Sequence, residues 1–149
     1  VLQTFSKYWG LTGARLGMVY ANKTVIDYLL RIKPPYNVNV LTAGKALARM
    51  EEVEIVEQQK NILLTEKEKM LDFLKIQSWV EKIYPSDTNF LFFKVADADK
   101  IYQDLLAKGI VVRNFSAKPL TKNCLRISVG TPEENEKLIL ALRCLSVEG

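Results

Sequence analysis

The spacing of apolar positions changes several times along the chain, and each change marks an element. Val1 to Phe5 reads as a strand. Leu16 to Ala21 reads as a second one, so nearly continuous in apolar residues that burial on both faces is expected. Asn22 is a good N-cap for a helix over about Lys23 to Lys33, whose apolar side is Val25, Ile26, Leu29, Leu30 and Ile32. Pro34-Pro35 stops that helix, because proline lacks an amide hydrogen and disfavours helix just before itself. Pro35 to Val38 should run extended. Asn39 or Val40 opens a helix to about Arg49 or Met50, and a long charged helix follows, roughly Glu52 to Lys75. Val53, Val56, Leu63, Met70 and Leu74 form its stripe. Glutamates cluster near its start and lysines near its end, as the helix dipole favours.

From Trp79 the pattern becomes α+β. Val80 to Tyr84 and Asn89 to Val95 look like a hairpin around Pro85-Ser86-Asp87. Asp97 caps a helix to about Lys108, with Ile101, Leu105 and Leu106 facing in, and Gly109 is its C′ glycine. Ile110 to Asn114 and Leu125 to Val129 are short strands. Thr131-Pro132-Glu133-Glu134 combines a threonine cap, proline at the first position and early acids, so it starts a last helix to about Leu145. Leu138, Ile139, Leu142 and Leu145 should face its buried side. Four short strands and two helices make a small sandwich with the long helix across it. The fold class expected is α/β at the start and α+β in a small second domain.

Composition narrows the chemistry. Hydrophobic residues are 48% of the 149, enough for a core. No apolar run approaches the ~20 residues of a membrane helix, so no membrane partner is expected. The net charge is 21 − 17 = +4, spread along the chain, which selects little between a small anion and nucleic acid. Cys124 and Cys144 match no metal or redox spacing and fit a reducing compartment, the cytoplasm; no metal site is expected. The absence of histidine removes the usual imidazole base and the Ser-His triad. Proton transfer near pH 7 then falls to a shifted lysine or carboxylate, and a lysine amine with burial and neighbouring cations is one such base.

The candidate chemistry lies at the start, in Ser6-Lys7-Tyr8-Trp9-Gly10-Leu11-Thr12-Gly13-Ala14-Arg15. A strand there feeds a glycine-broken turn carrying a hydroxyl and two cations. Lys7 could attack a carbonyl to form a Schiff base. Ser6 and Arg15 could hold a phosphate, the arginine as a bidentate fork. Taken alone, the stretch also reads as a surface lysine beside a turn.

Ser6-Lys7 followed by Gly10-Leu11-Thr12-Gly13-Ala14-Arg15-Leu16-Gly17 resembles the pyridoxal-phosphate lysine segment of fold-type I aminotransferases. Pro35-Tyr36-Asn37, Thr88-Asn89-Phe90, Gly109-Ile110-Val111-Val112-Arg113 and Leu125-Arg126-Ile127-Ser128-Val129-Gly130-Thr131 resemble further segments of that family, in its order, over nearly the whole chain. The closest subfamily is histidinol-phosphate aminotransferase. The resemblance implies that Lys7 holds pyridoxal phosphate as an imine and later moves the substrate Cα proton. It implies that Ser6 and Arg15 hold the cofactor phosphate, that Arg126 clamps the substrate carboxylate, and that Arg113 meets the substrate phosphate. Asn89 and Tyr36 are expected to shape the site. The resemblance also implies a homodimeric full-length enzyme acting on a small amine. Tyr8-Trp9 departs from the family, where small or single aromatic residues commonly follow the lysine.

The family carries roughly two hundred further residues upstream, including the acid on the pyridine nitrogen and the aromatic on the ring. The chain is therefore read as a C-terminal fragment, inactive alone. Residues 1–36 would end the large cofactor domain; residues 37–149 would form the linking helices and small domain. The apolar end at Val1 to Phe5 and Leu16 to Ala21 has lost neighbouring strands and is expected to be covered by another chain or by the small domain, because unpaired edges recruit partners. Two rival readings remain. One is a neighbouring aminotransferase or threonine-phosphate decarboxylase. The other is a ferredoxin-like RNA-binding module, with Phe90, Phe92 and Phe93 as a stacking platform.

Overall fold

The computed structural model describes residues 1–145. It divides into two compact units, Val1–Lys60 and Asn61–Gly149.

In the first unit, β1 (Leu2–Thr4) pairs antiparallel with β2 (Gly17–Val19), Leu2 opposite Val19 and Thr4 opposite Gly17. Gly17 suits this close approach: a Cβ there would lie 3.3 Å from the Gln3 carbonyl oxygen, and the paired strand would have to give by a few tenths of an ångström. Between the strands a loop contains one 3-10 turn, Thr12–Ala14. Next comes α1 (Lys23–Ile32), whose Asn22 side chain accepts from the Val25 amide. Pro34 follows directly after its C-cap, Lys33. Helix α2 (Val40–Glu51) is capped the same way, Asn39 accepting from the Thr42 amide. Both asparagine caps satisfy amides that have no partner inside the helix.

The expected burial of this end is not met. Leu2 is 80% exposed and Val19 40%, and α1 has no buried residue. The two three-residue strands pair, among the described residues, only with each other. Among the described residues of this unit, the buried apolar side chains are Phe5, Ala46 and Val56.

Helix α3 (Val53–Lys75) begins in the first unit and ends in the second. The second unit has a four-stranded antiparallel sheet of β3 (Val80–Tyr84), β4 (Phe90–Val95), β5 (Arg113–Asn114) and β6 (Cys124–Ser128), in the order β3-β4-β6-β5. Helices α4 (Ala98–Ala107) and α5 (Pro132–Arg143) cover one face with the end of α3. The core there joins Met70 and Leu74, Leu91 and Phe93, Ile101 and Leu105, Leu125 and Ile127, and Leu138 and Leu142. α5 starts as expected: the Thr131 hydroxyl accepts from the Glu134 amide while the Glu134 carboxylate accepts from the Thr131 amide. No helix among the described residues is long and apolar enough to cross a membrane.

Three expectations are corrected. Leu106 is exposed, because adjacent helical residues point about 100° apart and Ile101 and Leu105 already face the core. The strand expected over Ile110 to Asn114 is only Arg113–Asn114, since the Ile110 amide is bonded to the Leu105 carbonyl and wraps the end of α4 instead of joining the sheet. Phe93 is fully buried while Phe90 and Phe92 lie on the opposite face, as strand alternation dictates. A three-phenylalanine stacking platform therefore does not exist.

Candidate functional site

Two sets of side chains carry the candidate chemistry, one in each unit. In the first, the loop after β1 is folded by its own hydrogen bonds. The Gly10 amide donates to Lys7 O at 2.9 Å, the Leu11 amide to Phe5 O at 2.9 Å, and the Thr12 hydroxyl to Ser6 O at 2.7 Å. Phe5 is buried and its ring stacks on Trp9, anchoring the loop's start. Ser6 is half-buried and Lys7 exposed. Gly10 adopts φ 69° and Arg15 φ 52°, so the chain turns sharply on either side of the 3-10 turn. Arg15 Nη1 donates to Thr12 O at 3.2 Å. A guanidinium has five N–H donors, so this single bond leaves capacity for an anion. Amine, hydroxyl and guanidinium thus share one short loop, a donor set suited to an aldehyde that bears a phosphate. Tyr36, the other candidate here, is 97% exposed at φ 58°.

The second set lies in the sheet. Arg113 and Arg126 are direct cross-strand partners between β5 and β6. Like charges placed opposite each other in a sheet destabilise it, and an anion between them removes that cost. Arg126 is half-buried, and its Nε is fully buried with no hydrogen-bond partner. A buried N–H without an acceptor is costly, which makes this guanidinium a candidate for holding an anion. Its Cζ lies 5.0 Å from the centre of the Phe90 ring. Both arginines line a cleft of about 490 Å³ with Gly109 to Val112, Gly130, Glu134 and Lys137. That volume suits a small molecule. The α5 N-terminus at its edge is not a spare anion site, because Glu134 already fills the cap.

Asn89 sits just before β4, where its carbonyl accepts from the Val129 amide at 2.9 Å. Lys67 steadies the turn beside it, donating from Nζ to the carbonyls of Ser86 and, at 2.8 Å, Thr88. Among the described residues, no group of three or more Cys, Asp or Glu side chains is placed to hold a metal.

Sequence reasoning brought out the two arginines but not their pairing, which depends on register. It missed Phe90 beneath Arg126, two positions from Arg126's partner Phe92 along β4. It missed Arg49, which reaches the lysine loop from α2: Nε donates to Trp9 O at 3.0 Å. It missed Glu57, which accepts from the Tyr8 hydroxyl. No local signal marks Arg49 or Glu57, since both belong to helix faces that read as solvated charge.

The family model "Aminotransferase class I and II" matches residues 1–142. A histidinol-phosphate aminotransferase of Flavobacterium psychrophilum is 48% identical over 145 residues, 97% of this chain and 42% of that protein. The solved histidinol-phosphate aminotransferase of Clostridium acetobutylicum superposes with a TM-score of 0.86 at 19% identity, over 95% of this chain and 44% of its own, a likeness of fold. That of Sinorhizobium meliloti, solved in complex with pyridoxal-5′-phosphate, gives 0.80 at 25% identity, over 95% and 39%. The chain spans about two fifths of the length of the curated relatives it matches. On the match across nearly all of its residues, the chain belongs to the class I and II aminotransferase family.

Proposed function

We propose that this chain is the C-terminal part of a pyridoxal-phosphate-dependent histidinol-phosphate aminotransferase. The enzyme exchanges the amino group of L-histidinol phosphate with 2-oxoglutarate in histidine biosynthesis, as a cytoplasmic homodimer. Residues 1–36 close its large cofactor domain and residues 37–149 form the linking helices and small domain. The observation that carries the reading is the loop on which Ser6, Lys7 and Arg15 occur together, in a chain 48% identical to a histidinol-phosphate aminotransferase.

When bound, pyridoxal phosphate supplies an electron sink that makes the substrate Cα–H bond acidic. Lys7 would hold the cofactor through its Nζ, and the same amine would move the proton at substrate Cα. Ser6 Oγ and the Arg15 guanidinium hold the cofactor phosphate. Arg126 grips the carboxylate of glutamate or 2-oxoglutarate, which fixes the orientation of the Cα–H bond. Arg113, across the strand pair, meets the phosphate of histidinol phosphate. One cleft thereby accepts the anionic end of either substrate. Asn89 and Tyr36 are the further residues assigned to shaping the site, one from each unit. By this reading the isolated chain is inactive.

The test is borohydride reduction of the full-length protein with pyridoxal phosphate, followed by digestion and mapping. The label is expected on Lys7, with turnover of histidinol phosphate exceeding that of threonine phosphate. A label on another lysine, or on none, overturns the assignment.

A further inference from the structure

The two residues that follow Lys7 are both held from outside the loop, and by different helices. The Tyr8 hydroxyl donates to Glu57 Oε1 on α3, and Lys60 Nζ donates to the other oxygen of the same carboxylate. The Lys60 hydrogen bond chiefly, then that of Tyr8, holds the Glu57 carboxyl below its ordinary range, so it stays an acceptor at neutral pH. The hydrogen bond to Glu57 raises the Tyr8 phenol, so it stays a donor. The Trp9 carbonyl is taken by Arg49 Nε on α2 at 3.0 Å. Arg49 is committed at every nitrogen: Nη1 donates to Glu52 Oε2 at 2.6 Å and Nη2 to Gln59 Oε1. Its side chain is only 14% exposed. A Cβ placed on Gly10 would lie 3.9 Å from Arg49 Nη2, so the guanidinium lies against the tight turn itself.

These contacts differ from those that fold the loop. The carbonyls of Phe5 and Lys7 are satisfied within the loop by the Leu11 and Gly10 amides. The Trp9 carbonyl instead faces the helices and is met by a rigid planar donor braced from two sides. The next residue, Gly10, has a positive φ, where the backbone is at its most adaptable and an external brace has most effect.

We propose that Arg49 is a positioning residue for Lys7. From α2 it fixes the Trp9 carbonyl, and together with the Tyr8–Glu57 hydrogen bond from α3 it sets the conformation in which the lysine amine is presented to cofactor and substrate. This rests on the reading of Lys7 as the cofactor lysine. With its three side-chain nitrogens engaged by Trp9, Glu52 and Gln59, Arg49 acts through the backbone two residues beyond Lys7.

The test compares full-length holoenzyme with its Arg49→Met, Arg49→Lys and Tyr8→Phe variants. Three quantities are read: kcat, KM for both substrates, and the midpoint at which the visible absorbance of the lysine-bound cofactor titrates with pH. For Arg49→Met, kcat is expected to fall on the order of tenfold to a hundredfold, as for a displacement of about an ångström. Both KM values should stay within about twofold, and the midpoint should move by about half a pH unit or more. Arg49→Lys should recover part of the loss, and Tyr8→Phe should show a smaller loss of the same kind. A lowered melting temperature with kcat and midpoint unchanged overturns the proposal and leaves Arg49 as fold support only. If Arg49→Met does not fold, Tyr8→Phe and Glu57→Gln decide by the same readouts. Borohydride mapping on the unmutated protein separates the two layers. A label on Lys7 with unchanged kcat and midpoint in the variants defeats this inference alone; no label on Lys7 defeats the reading beneath it.

Discussion

The two units obey the same local rules and differ in what they bury. Asn22 and Asn39 cap helices in the first unit as competently as Thr131 does in the second. Yet the second unit closes a core through Phe93, Leu105, Leu125 and Leu142, while α1 exposes Tyr28, Leu30 and Ile32. Caps and turns define where an element starts; they do not supply the layer that covers it. Most helical stability in proteins comes from packing an apolar face, so the first unit has correct elements without their main source of stability. A two-stranded ribbon of three-residue strands is marginal for the same reason.

The sharpest way to break this contrast is amide hydrogen exchange on the chain. Amides of β4 and β6 should be protected over those of β1 and β2 by on the order of 10³ or more, the range set by global against local opening. Equal protection would show that the first unit has an unrecognised source of stability. The next effect is a matched pair of truncations read by urea unfolding. Phe93→Ala should cost about 3–5 kcal/mol because it empties a filled core position. Leu30→Ala, at an exposed position, should change stability by less than about 0.5 kcal/mol.

The smallest effect concerns the buried polar pair of the second unit. Glu66 Oε2 accepts from Asn135 Nδ2 at 3.1 Å, and Glu66 Oε1 from Lys69 Nζ at 2.6 Å. Lys69 first, then Asn135, holds this carboxyl below its ordinary value. A depressed folded-state value means the contribution is complete above the unfolded-state value and is lost as pH falls through the folded one. Stability should therefore decline on acidification below the ordinary carboxylate range. Glu66→Gln should flatten that part of the profile; an unchanged profile would remove Glu66 from the account.

Much of the second unit was legible because its signals are short in range. The Thr131 capping box, the Gly109 stop and the alternation of β4 each fit within a few residues. What escaped depended on distance in sequence. Leu105 and Leu106 look alike until Ile101 fixes which side of α4 faces inward. Arg113 and Arg126 stand thirteen positions apart, and only the register of β5 on β6 shows them opposite one another. The Glu66–Asn135 bond spans 69 positions and leaves no local trace. The candidate site divides the same way. Ser6, Lys7 and Arg15 are readable as a motif, whereas Arg49 and Glu57 become visible only when α2 and α3 are seen against the loop.

Gly130 carries a consequence of its own. A Cβ there would stand 2.4 Å from Glu134 Oε2, so even alanine would evict that carboxylate from the Thr131 amide. The displaced negative charge would then be loose along the wall that Gly130 and Glu134 share with both arginines. A position with no side chain thereby keeps that carboxylate on its cap, and sequence drift at 130 is coupled to the charge carried by this wall.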